Sequence, residues 1–208
     1  MLRRIWWFGA AGTISSAVLI LFSGDIRFFS ATLDWKFTGT FFAAAIAAAA
    51  ITAESSNVSW STRTVLRYVF ATTILAAGVP LALLVAALTD MVLGKTGLFE
   101  QYSRMSSFFL PALVAGAFWA LCLAAWLSVI LVHWTARWFA QALLVTWLAF
   151  ALAIAADEIS KAVWHYSIFV SVFIAMEQIG AAIFLAIAFH GGPSAAGVQV
   201  RSENAAHG

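Results

Sequence analysis

Apolar runs long enough to cross a bilayer set the limits on this chain. They extend over about 5–22, 37–53, 65–93, 106–132, 138–156 and 163–189. A membrane helix needs roughly 20 predominantly apolar residues, because it rises about 1.5 Å per residue through about 30 Å of hydrocarbon. In lipid every backbone N–H and C=O must find its partner inside the protein, so such runs are read as helices. The sequence therefore predicts an all-α polytopic integral membrane protein, a bundle of about six transmembrane helices filling residues 1–190 as one domain. Composition agrees: 63% of the 208 residues are hydrophobic and 10% charged, where a soluble domain is about 25% charged. The connections are too short for a soluble domain, so function must lie in the spans or the short loops. Residues 191–208 turn polar after Gly191-Gly192-Pro193 and are expected to form a flexible tail.

The amino-terminal run follows Arg3 and Arg4 but exceeds the roughly 7–15 apolar residues of a signal peptide, so it reads as a retained first span. Gly9, Thr13 and Ala17, with Gly12 and Ser16 beside them, predict a smooth strip for close helix contact. Ser23 to Lys36 reads as a surface loop with aromatic anchors, and the alanine-rich second span as an interior helix. Pro80 predicts a kink near Ala76 to Pro80, whereas Pro111 falls in the first turns of its span, where proline is tolerated. Trp119 and Trp126 are seven residues apart and share a helix face, read as core or lipid contact. Cys122 lies within an apolar run and reads as a small buried residue, which leaves no disulfide or CxxC site.

Six spans put Arg3, Arg4, Arg63, Arg67, Arg137 and Arg201 on one side and Arg27, Lys36, Lys95, Arg104 and Lys161 on the other. The arginine pair before the first span places both termini in the cytoplasm of a bacterial-type inner membrane or plasma membrane. Asp157, Glu158 and Lys161 read as the turn between the fifth and sixth spans, and most acids fall outside, where Asp90, Asp157 and Glu158 are candidates for the mouth of a cation path. The basic residues are scattered, so no nucleic-acid partner is expected; the partner is the lipid bilayer.

Within the run 163–189 a single carboxylate, Glu177, stands near the middle. An ionised group at that depth costs about 2.5 kcal/mol or more to insert, so it calls for a compensating role. Ser160, Ser167, Ser171 and Gln178 are spaced by seven, four and seven residues and predict a polar stripe beside it. Gly180 and Ala181 would let another helix approach. Two readings stay open. In one, Glu177 exchanges a proton or cation while Ser167, Ser171 and Gln178 line the route, as in a small transporter or channel subunit. In the other, Glu177 is protonated or bonded to hydroxyls such as Thr72, Thr73 or Thr146 and serves as interhelical glue, as in a noncatalytic subunit that assembles with partners or with copies of itself.

His133 and His190 end their spans at the same interface and define a weaker alternative, a b-type haem or metal site of a redox or quinone-linked anchor. No cofactor is predicted beyond that. His165 is expected to meet Glu158 in a local ion pair. The chain carries no HExxH, GxSxG or P-loop motif and no nucleophile placed beside a base, which weighs against an enzyme.

Overall fold

The computed structural model of the chain describes residues 2–24, 31–54, 61–96, 104–165 and 169–191, with side chains over 2–18, 39–53, 61–92, 110–165 and 172–189. Among the described residues all regular structure is helical: α1 (Leu2–Gly24), α2 (Ala31–Glu54), α3 (Thr62–Thr96), α4 (Arg104–Leu131), α5 (Ala136–Trp164) and α6 (Phe169–Gly191). Four stretches are long and apolar enough to cross a membrane: Thr62–Val92, Leu110–Leu131, Ala136–Trp164 and Val172–Phe189. In α2 the apolar stretch is shorter, Gly39–Ala53. Of the predicted tail, 191–208, Gly191 closes α6 and the rest, 192–208, lies outside the described residues.

Each helix packs against its neighbours in sequence, and α6 returns to α1, so the helices close into a ring that α4 and α6 also bridge. Two ring contacts are visibly antiparallel. On α1, Arg4 and Phe8 meet Phe189 while Gly12 meets Gln178 and Ala182; on α5, Phe150 meets Phe173 while Val145 meets Gly180. The interior is aromatic and aliphatic. Trp126 lies 6.4 Å from Phe8 and 6.2 Å from Phe189 between ring centroids, and Leu123, Leu127 and Leu185 are fully buried around them. The large apolar side chains left exposed, such as Leu66, Phe70, Leu144 and Leu148, are suited to contact with lipid chains.

Several elements differ from the sequence expectation for physical reasons. Asp157, Glu158 and Lys161, expected in a turn, continue α5 as helix. Lys161 Nζ lies 2.6 Å from Asp157 and 3.2 Å from Glu158, and acids one turn amino-terminal to a lysine stabilise helix. The helix stops at His165, which adopts the left-handed conformation (φ 54°) and donates its N–H to the Lys161 carbonyl. Glu158 thus pairs with Lys161 rather than with His165. Asp34, Trp35 and Lys36, expected in a surface loop, lie in the first turns of α2.

One further difference concerns the packing face of α1, and the two prolines fall inside helices. On α1 the row Gly12, Ser16 packs inward, whereas Thr13 and Ala17 are exposed and nothing lies within 4 Å of a Cβ placed at Gly9. α4 starts at Arg104, so Pro111 sits about two turns inside it. Pro80 leaves α3 a continuous helix. Proline has no N–H for the carbonyl four residues earlier, that of Ala76. That carbonyl faces Gly39, where an added Cβ would come within 2.6 Å of it. The proline therefore coincides with a close approach of α2 to α3.

Candidate functional site

Glu177 stands on α6, about 12 Å along from the start of the helix at 1.5 Å per residue. Its direction follows from its neighbours. Gly180, 60° to one side on the helical wheel, touches Val145 of α5, and Gln178 and Ala182, 100–140° to the other side, meet Gly12 of α1. Glu177 therefore points between α5 and α1, into the ring and towards α4. There the indole N–H of Trp119 donates to Glu177 Oε1.

Trp119 is held from the far side. A Cβ at Gly78 of α3 would sit 2.7 Å from Trp119 Cζ3 and 3.2 Å from Cys122 Cβ, so only the absence of a side chain at Gly78 admits the ring. Phe42 of α2 packs against the indole at 5.9 Å between centroids, tilted by 59°. Four helices thus meet at one level: α2 through Phe42, α3 through Gly78, α4 through Trp119 and α6 through Glu177. Trp119 is only 5% exposed, while Glu177 keeps part of its surface open. Among the described residues Glu177 has no cationic partner and no hydrogen-bond partner other than Trp119.

Several buried polar atoms on α6 and the neighbouring helices lack partners. Gln178 Oε1, Thr146 Oγ1 and Ser15 Oγ are buried and make no hydrogen bond. Gln178 follows Glu177 in sequence. The Thr146 methyl faces Gly116, one turn before Trp119, and Ser15 lies one turn beyond Gly12, which meets the Gln178 main chain. Each unpaired buried group carries a penalty of about 1–3 kcal/mol, so α1, α5 and α6 each hold a buried polar atom with unused hydrogen-bonding capacity.

The predicted site residues are only partly brought together. Glu177 and Gln178 lie on α6 as expected, but Ser160 belongs to α5, so the four-residue stripe does not run along one helix. Ser167 lies outside the described residues; Ser171 is on α6 but its side chain is not described. The hydroxyls expected as partners of Glu177 are engaged elsewhere or unpaired: Thr72 donates to the Tyr68 carbonyl and Thr73 to that of Val69, and Thr146 has no partner. Asp90 is exposed on α3 and makes no ion pair among the described residues. Asp157 is 5% exposed and, like Glu158, pairs with Lys161 on its own helix. His133 is exposed beyond the end of α4 and meets the Trp138 ring edge-on at 6.0 Å; His190 is on α6 with its side chain not described. Among the described residues no group of three or more His, Cys, Asp and Glu side chains converges.

Sequence reasoning misses the Trp119–Glu177 pair and the Gly78 seat. The usable signal is the indole itself, which has one N–H donor and needs an acceptor when buried. Choosing that acceptor requires knowing that α4 and α6 meet across the ring. No family model matches the chain, and comparison with curated proteins and with solved structures returns no match.

Proposed function

We propose that the chain is a six-span, multi-pass protein of a bacterial-type inner membrane or plasma membrane, with both termini cytoplasmic. In this reading it moves a cation or couples to protons, with Glu177 as the exchanging group. The six-span reading is supported by α1 and α2, which are 23 and 24 residues long, about 35 Å each, and lie in the same ring as the four long apolar helices.

The observation that carries the functional reading is the setting of Glu177: inside the ring, partly open, without a cation to compensate it. An acid at membrane depth is costly and marks a site by default. The indole N–H can donate to a carboxylate oxygen and equally to the carbonyl oxygen of the neutral acid, so the Trp119 contact can persist in both states. The neutral acid gains an O–H of its own. Gln178 Oε1 and Thr146 Oγ1, buried acceptors without partners on α6 and α5, are suited to accept a hydrogen bond from such a donor.

Purified protein in liposomes tests this by proton and cation flux. Loss of flux in Glu177→Gln supports the reading, and a variant that conducts like the parent ends it.

The second reading, a noncatalytic subunit that assembles with partner proteins or with copies of itself, is favoured by the filled interior. Trp126, Phe8, Leu123, Leu127 and Leu185 occupy the ring on the side of Arg4, leaving Glu177 to hold α6 against α4. Copurification of a stoichiometric complex that survives Glu177→Gln but not Glu177→Ala supports this alternative. Its haem-bearing form needs His133 and His190 and is tested by a Soret band that disappears on replacing either.

A further inference from the structure

We infer that Trp119 is the positioning residue of the Glu177 site, and that Gly78 is the seat that sets its reach. The inference rests on the reading of Glu177 as the exchanging group and adds what controls access to it.

The geometry is a stack across the ring. Gly78 lies behind the six-membered part of the indole, so a methyl group there would press on Cζ3 at 2.7 Å and Cε3 at 3.0 Å. The opposite side of the indole carries the N–H, which reaches Glu177 Oε1. Any displacement at Gly78 is therefore delivered to the carboxyl through a rigid aromatic ring. The ring has little room to escape, since Phe42 packs on it and Trp119 is almost wholly buried. Interiors packed this closely respond to one added methyl group by moving neighbours rather than absorbing it.

Position 78 also sits where α3 departs from ordinary helix bonding. Pro80 leaves the Ala76 carbonyl without its intrahelical donor, and Gly39 of α2 closes on that oxygen. The glycine seat is thus fixed by α2 from one side and filled by α4 from the other. Trp119 holds Glu177 turned towards α4; when the indole is lost or displaced, the carboxyl is free to turn towards the open part of its surface.

Access to Glu177 is measured with dicyclohexylcarbodiimide, an apolar reagent that partitions into the membrane. The carboxyl O–H adds across one C=N bond, its proton passing to nitrogen, and the acyl group then shifts from oxygen to nitrogen to leave a stable N-acylurea. No oxidant, reductant or leaving group is involved. The adduct on Glu177 is followed by peptide mass spectrometry of the full-length protein in proteoliposomes.

Trp119→Phe keeps the packed ring and removes the donor. Labelling is expected to rise about tenfold, which corresponds to about 1.4 kcal/mol, within the range for loss of one hydrogen bond. Gly78→Ala keeps the donor and displaces it, and is expected to raise labelling in the same direction. The double variant is expected to label no faster than Trp119→Phe alone, because the seat acts only through the indole. Trp126→Phe, seven residues away on α4, serves as the packing control and labels like the parent.

A parent-like rate in Trp119→Phe overturns the inference. So does a parent-like rate in Gly78→Ala, or a double variant whose effects multiply. Labelling does not require flux, so Glu177→Gln liposomes that conduct like the parent would remove the transport reading while leaving the Trp119 result standing.

Discussion

Gly12 of α1 lies directly on the main chain of α6 at Gln178: a Cβ at Gly12 would be 2.8 Å from the Gln178 carbonyl oxygen and 2.8 Å from the Ala182 methyl. Backbone cannot move aside as the end of a long side chain can. Gly12→Val is therefore expected to lower stability by about 1–3 kcal/mol through overpacking, read as a lower unfolding midpoint in detergent. Gly9→Ala, one turn earlier with nothing within 4 Å, is expected to stay within about 0.5 kcal/mol of the parent or gain slightly from helix propensity. Equal effects at the two positions would show that α1 does not meet α6 through this face.

The approach of α2 to α3 makes a similar prediction with a different mechanism. At Gly39 an added Cβ would meet the Ala76 carbonyl at 2.6 Å, whereas at Gly180 it would meet only the Val145 Cγ1 methyl at 3.0 Å. Gly39→Ala should destabilise more than Gly180→Ala, because a side-chain methyl can shift by a few tenths of an ångström and a helix carbonyl brings its backbone along. Thermal unfolding of both variants in one detergent checks the order.

Trp126 anchors the filled half of the ring. It is 1% exposed and packs against both Phe8 and Phe189, which also touch each other. Trp126→Ala is expected to cost about 3–5 kcal/mol, the range for emptying a large aromatic site, while Trp126→Phe retains most of the contact. If Trp126→Ala unfolds at the parent midpoint, the ring interior is not packed as described.

The last turns of α5 depend on their charges unequally. Asp157 is almost fully buried and lies 2.6 Å from Lys161 Nζ; Glu158 is exposed and lies 3.2 Å from it. Exposed pairs are weak because water screens them. Asp157→Asn should therefore speed amide hydrogen exchange over residues 158–165 severalfold, and Glu158→Gln should leave it near the parent rate. The reverse order would contradict the burial of Asp157.

How far the sequence speaks for itself differs between the fold and the site. The helices are legible because a run such as 106–132 is apolar on all sides, a pattern that lipid translates into helix without tertiary information. Ends are less legible. Asp157, Glu158 and Lys161 read as a turn because charges interrupt an apolar run, yet their spacing lets them bridge one helical turn and prolong α5. The packing face of α1 is not legible either, since Gly9 and Gly12 are equally small and only the position of α6 separates them.

At the site, the odd residue is visible at once and its partner is not. Glu177 stands out against hydrocarbon, whereas Trp119 looks like any core aromatic until α4 is known to reach α6. Gly78 is harder still, because its role is to leave room for a ring that belongs to another helix.

As the proposed exchanging group, Glu177 takes up and releases a proton inside the ring. Infrared difference spectra of the protein in lipid, recorded between acid and alkaline buffer, resolve the C=O stretch of a carboxylic acid from the stretches of a carboxylate. The predicted result is a carboxylic-acid band in the parent difference spectrum that is absent from Glu177→Gln. Identical difference spectra for the parent and Glu177→Gln would contradict the account, leaving Glu177 as a fixed contact between α6 and α4.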